Sequence, residues 1–219
     1  MNLIDLELLF EVNDTLEIKE ENREWGKLVI VDNFWKDYKK IREEALKIPS
    51  IKLPGVYSSS DNGKKYFDGR SQFVFYSVPK FSEVIYHIAV NYFNEDPKKL
   101  LLKWDNPFIL FNNVFQMYDK KFNKYETDHY GPHVDGDTHI AAIWYMNDDY
   151  GQGEGTGIYN MIENPTTSPW CRKSKKIDEI PAKSNRLVIY RGNVPHAQLV
   201  TKRWFNEPRL SMVQFLWSP

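Results

Sequence analysis

The stretch NRLVIYRGNVPHAQLV, residues 185–200, decides the fold. A β-branched apolar run from Leu187 to Tyr190 meets a Gly192-Asn193 turn and then Pro195. His196 follows at the mouth of another run with strand character. Runs of the same kind recur on both sides. They are FILFNNVFQMYD (108–119), HIAAIWYMND (139–148), GTGIYNM (155–161) and RLSMVQFLW (209–217), separated by turn residues. Short strands at this spacing predict a β-sandwich or barrel.

The front of the chain reads differently. KLVIVDNFW (27–35) alternates and predicts a strand ending at Asp32-Asn33. KDYKKIREEALKIP (36–49) places Tyr38, Ile41, Ala45 and Leu46 at helical spacing, stopped by Pro49. FSEVIYHIAVNYF (81–93) predicts a second amphipathic helix, in which His87 is a packed or surface histidine. Residues 50–70 read as loop, and residues 160–184 form the longest gap between expected strands. Their length suggests function. The expected class is α+β, mainly β. We expect one domain over 1–219, with N-terminal helical support to about residue 105 and a β core over about 106–219.

Composition narrows the functional classes. The 219 residues carry a net charge of −1, which gives no sign of a nucleic-acid partner. The one cysteine, Cys171, excludes an internal disulfide framework. The N-terminus lacks a basic start and apolar core, and no apolar run has the length of a membrane span. A cytoplasmic protein with no membrane partner is expected.

YGPHVDGD (130–137) carries the chemistry. Residues i and i+2 of an extended segment point to one side, so His133 and Asp135 present an imidazole and a carboxylate together. Asp137 offers an alternative carboxylate. A third donor must come from elsewhere: His87, His129, His139 or His196. His196 sits at the mouth of a strand, His129 and His139 flank the first pair, and His139 lies in a β run. Two histidines and one carboxylate on one side form the donor set of non-haem iron sites. Alone, His-x-Asp more often marks a turn with a solvated carboxylate.

EPRLSMVQFLW (207–217) adds a second feature. In a strand, Arg209 and Ser211 share a face with Val213, Phe215 and Trp217. A guanidinium directed into apolar surroundings requires an anion. Arginine binds carboxylates through two parallel bonds, and a nearby hydroxyl adds a third. A structural Arg–Asp or Arg–Glu pair is the competing explanation.

His133-x-Asp135, His196 and Arg209-x-Ser211, in that order on β elements, resemble the Fe(II)/2-oxoglutarate-dependent oxygenase superfamily. AAIWYMND, GQGEGTGIY and RLVIYRGNVPHAQLV are similar to the corresponding segments of prolyl-hydroxylase-like members. The resemblance covers about residues 108–219. More weakly, VIVDNFW, REEAL and LPGVYS resemble a little-characterised bacterial and phage branch. The resemblance implies a double-stranded β-helix, or jelly-roll, of cupin-like form with helices packed on one sheet. It implies Fe(II) held by His133, Asp135 and His196. Arg209, helped by Ser211, would hold the distal carboxylate of 2-oxoglutarate. Tyr118 resembles a tyrosine that contacts the same carboxylate, though Tyr125 or Tyr130 could take the role; Asn112 and Gln116 are further pocket residues. With O2, such a site hydroxylates a protein side chain or small molecule and releases succinate and CO2. Residues 160–183 and 58–69 would supply a lid. The alternatives are a cupin-like metal barrel of other chemistry and a non-catalytic protein that retains the fold.

Overall fold

The computed structural model describes residues 10–47, 51–52, 71–76, 79–96, 108–113, 132–135, 138–161, 174–199, 201 and 210–217. For 51–52, 71–76, 79–82 and 108–113, and for Ala45, Lys47, Met161 and Trp217, this extends to the backbone alone. The strands are β1 (Glu17–Arg23), β2 (Gly26–Asp32), β3 (Ile51–Lys52), β4 (Ser71–Tyr76), β5 (Phe108–Asn113), β6 (Thr138–Tyr145), β7 (Gly155–Met161), β8 (Ser174–Pro181), β9 (Arg186–Arg191), β10 (His196–Leu199) and β11 (Leu210–Trp217). Helices α1 (Tyr38–Lys47) and α2 (Pro79–Phe93) interrupt them.

Every strand pairing among the described residues is antiparallel. The larger sheet runs β1-β2-β9-β6-β11-β5-β4-β3, and the smaller runs β10-β7-β8. Side-chain alternation gives the central strands of the larger sheet two buried faces. Val29, Val31, Ile140, Ala142, Trp144, Leu187, Ile189 and Met212 pack toward Ile41 of α1 and Ile85, Ile88, Ala89 and Phe93 of α2. The alternate residues Leu28, Ile30, Ala141, Tyr145, Val188 and Tyr190 meet Ile158 of β7 and Ile180 of β8. The smaller sheet therefore covers one face of the larger, and the helices cover the other.

The helix ends follow their sequences. Asp37 caps α1 by accepting the Lys40 amide at 3.1 Å. Pro79 opens α2 at a position where its missing N–H costs nothing. Asn94 ends it at φ 55°, and the Glu95 amide donates back to the Ala89 carbonyl. No helix among the described residues is long and apolar enough to cross a membrane.

Two expectations are corrected. The front of the chain is not only helical support, because β1–β4 join the same sheet as β5, β6, β9 and β11. The gap over 160–184 is also narrower than expected, because β8 occupies Ser174–Pro181 and pairs with β7. Asp178 of β8 accepts from Arg23 at 2.8 Å and Trp25 at 2.7 Å, which ties the smaller sheet to the β1–β2 edge.

Asn185 fastens the turn before β9 to the segment after β2. Its side chain accepts the Trp35 amide at 2.9 Å and donates to the Trp35 carbonyl at 2.8 Å. It adopts φ 57°, a conformation asparagine tolerates better than most residues. This seats Trp35 on Trp144, with ring centroids 5.8 Å apart.

Candidate metal centre

His133 and His196 lie directly opposite each other in an isolated antiparallel bridge. The His133 amide donates to the His196 carbonyl at 3.0 Å, and the His196 amide returns the bond at 2.9 Å. Residues so paired project to one side, and their rings lie 4.7 Å apart. Asp135, two residues from His133, follows onto that side. Its amide donates to Gly192 at 3.0 Å, and its carbonyl accepts the Thr138 amide at 3.0 Å, where β6 begins.

Gly192 is required by close approach. A Cβ there would lie 2.3 Å from the Thr138 carbonyl oxygen. Any larger residue would push the β9–β10 turn off the start of β6 and separate Asp135 from His196. The turn is held by Val194 donating to Arg191, and Tyr159 of β7 donates to Pro195.

These contacts gather His133, Asp135 and His196 so that one ligand atom from each lies within 4.8 Å of the others. Asp135 is 3.7 Å from His133 Nε2 through Oδ1 and 3.5 Å from His196 Nε2 through Oδ2. His196 Nδ1 lies 2.9 Å from the Val194 carbonyl oxygen. A carbonyl can only accept, so Nδ1 carries the proton and Nε2 keeps its lone pair for a metal. His196 is 6% exposed, so water competes poorly there. Two imidazole nitrogens and a carboxylate oxygen suit a divalent transition metal.

The two other described histidines stand apart from this group. His139 Nε2 is 2.7 Å from Glu95, away from the donor group. Glu95 also pairs with Arg191, whose guanidinium donates to the Phe93 carbonyl at 2.9 Å. This cluster fixes the end of α2 to β6 and β9. His87 is exposed on α2. His129 and the alternative carboxylate Asp137 lie outside the described residues, as do Arg209, Tyr118, Tyr125, Tyr130, Gln116 and residues 58–69.

Ser211 is buried on β11, opposite Tyr145 of β6 and Asn112 of β5. It shares the strand parity of Phe215, which packs against the inner cluster between the sheets. Two inner-face tyrosines are additions to the residues singled out from the sequence. Tyr145 bonds Thr156 of β7 at 2.8 Å between hydroxyls. Tyr190 stands edge-on to the His196 ring, with centroids 5.2 Å apart. Burial, followed by the negative charge of Asp135, pushes the Tyr190 phenol well above its usual range. The signal for both was strand parity: each is an even number of residues from an inward apolar neighbour on its own strand.

No family model and no curated protein matches the chain. It is distantly similar to solved structures. A Pseudomonas putida prolyl-4-hydroxylase is 13% identical with TM-score 0.43, over 83% of each chain. A Trichoplax adhaerens prolyl hydroxylase, in complex with a hypoxia inducible factor oxygen degradation domain peptide fragment, is 12% identical with TM-score 0.46, over 87% of this chain and 83% of that one. The epimerase SnoN, in complex with Fe3+, alpha-ketoglutarate and nogalamycin RO, is 13% identical with TM-score 0.46, over 87% and 78%.

Proposed function

We propose that the protein is an Fe(II)- and 2-oxoglutarate-dependent oxygenase that hydroxylates a protein side chain or a small molecule. One observation carries the reading: His133, Asp135 and His196 converge within 4.8 Å at the seam of the two sheets. The two sheets are then the halves of a double-stranded β-helix. The single cysteine suits work in a reducing cytoplasm.

In this reading His133, Asp135 and His196 hold Fe(II). With O2, bound iron and 2-oxoglutarate supply the oxidising chemistry, which ends in succinate and CO2. The chain supplies position and shelter. The Val194 carbonyl fixes the orientation of the His196 ring. Asp135 is held by its backbone bonds to Gly192 and Thr138. Ile158, Val188 and Val194 keep the surroundings apolar. Arg209 is assigned to the distal carboxylate of 2-oxoglutarate, with Ser211 as its hydroxyl partner. Asn112 and Tyr118 remain assigned to the cosubstrate pocket. Tyr145 joins them because it sits opposite Ser211.

Anaerobic addition of Fe(II) and 2-oxoglutarate tests the class. A visible charge-transfer band that requires both components is expected. Its absence at saturating concentrations refutes the reading. Arg209→Ala should weaken 2-oxoglutarate binding by about 30-fold or more, the scale of a buried charge-assisted pair. Iron affinity should stay near that of the wild type.

A further inference from the structure

Tyr190 holds a buried hydroxyl that the described fold does not use. The residue is 0% exposed on the inner face of β9, between Leu28 of β2 and Ala141 of β6. Its hydroxyl has no hydrogen-bond partner among the described residues. Burying a hydroxyl in this way forfeits its hydration without return, and phenylalanine would fill the same space without that cost. The ring is edge-on to His196, so the side chain borders the metal centre. His196, whose ring it meets, is bridged through the backbone to His133 two residues before Asp135, so Tyr190 lies on the metal-centre side of β9. A phenol O–H is a hydrogen-bond donor by its ordinary chemistry, and this one lacks an acceptor among the described residues.

We infer that the Tyr190 hydroxyl donates a hydrogen bond to the metal-held end of the anion that occupies the His133–Asp135–His196 centre. The inference rests on the oxygenase reading, in which that anion is 2-oxoglutarate. Tyr190 is a positioning residue here: it orients an anion whose two oxygens face the metal and is not itself a ligand. A chelating anion brings concentrated negative charge into apolar surroundings, where a neutral donor is worth most. The hydroxyl thus stays without an acceptor until the anion arrives.

Oxalate is the discriminating probe, because it reproduces the chelating end of a 2-oxo acid and lacks any distal carboxylate. Co(II)-loaded wild-type protein and Tyr190→Phe are titrated with oxalate by calorimetry. Their Fe(II) forms are titrated anaerobically with 2-oxoglutarate, and metal-free melting is recorded for both. Tyr190→Phe should bind each anion about tenfold more weakly, equal to about 1.4 kcal/mol. Metal affinity should hold, and the metal-free protein should melt no lower than wild type. Unchanged oxalate affinity overturns the inference. So does a loss confined to 2-oxoglutarate, which would direct the hydroxyl to the distal end. A lower metal-free melting point with normal anion binding would give the hydroxyl a structural role instead. Wild-type protein that binds oxalate with the expected Tyr190 dependence, yet gives no charge-transfer band, would sink the oxygenase reading alone. Wild-type protein that binds neither anion overturns both.

Discussion

His196→Ala is the most direct test of the metal centre, and His139→Ala is its internal control. At a free metal concentration 100 times Kd, binding to the folded state alone stabilises it by about 2.7 kcal/mol. For a chain of this size each kcal/mol moves the melting temperature by about 2–4 °C, so metal should raise it by roughly 5–11 °C. His196 supplies one of three donors, with Nε2 freed by the Nδ1 bond to Val194. Loss of a partner behind a ligand already weakens binding about 10- to 100-fold, so loss of the ligand should cost at least about 100-fold. The same metal concentration then only matches Kd. The gain falls to about 0.4 kcal/mol, or about 1 °C. His139 touches Glu95 and not the donor group, so His139→Ala should keep the whole metal-dependent shift, though its metal-free melting point will be lower. Scanning calorimetry with and without Co(II) reads each quantity. Full retention of the shift in His196→Ala, or its loss in His139→Ala, refutes the centre.

Asn185→Ala should destabilise by roughly 2–4 kcal/mol, because it strands the buried amide and carbonyl of Trp35 and puts alanine at φ 57°. Urea unfolding measures this, and Asn185→Gly should recover only the backbone part. Asp32 is held down to about 2, chiefly by the Arg186 hydrogen bond and also by Lys183. Its folded value lies below the ordinary 3.8, so its stabilisation is complete above 3.8 and is lost as the pH falls toward 2. With partial solvent screening that is about 1–2 kcal/mol. Asp32→Asn should be less stable than wild type at pH 7 and close to it near pH 2, by urea unfolding at both.

The parts legible in the sequence are those whose neighbours lie nearby along the chain or whose burial imposes a period. β2 and β9 are buried on both faces, so their apolar runs announced them. α1 and α2 show helical spacing and clear stops. β1, with EIKEENR, and β8, with SKKIDEIP, escaped because they are edge strands with charged, mostly exposed faces. Their strand state comes from pairing with β2 and β7, not from their own composition. At the site, the His133–Asp135 pair was readable from local geometry, whereas His196 was one of four candidate histidines and was singled out by the resemblance; the structure brings the three together. The release of His139 from the list was not readable, because its partner Glu95 sits beyond α2. Tyr190 was hidden for a similar reason: a tyrosine in an apolar run reads as packing, and only the lack of a hydrogen-bond partner among the described residues sets it apart.

The backbone bridge between His133 and His196 also governs the order of events as the chain folds. It joins residues about 60 positions apart, and closing such a loop costs about 4 kcal/mol of chain entropy. A contact of such sequence separation is expected to form late, after β10 pairs with β7. Before then the chain offers an ion one local pair, His133 and Asp135, with the third donor on a separate segment. During synthesis the pair emerges well ahead of β10, so a nascent chain has no complete site to fill. An ion held by these three residues would therefore be expected to meet a chain already folded, with its donors set by a finished frame.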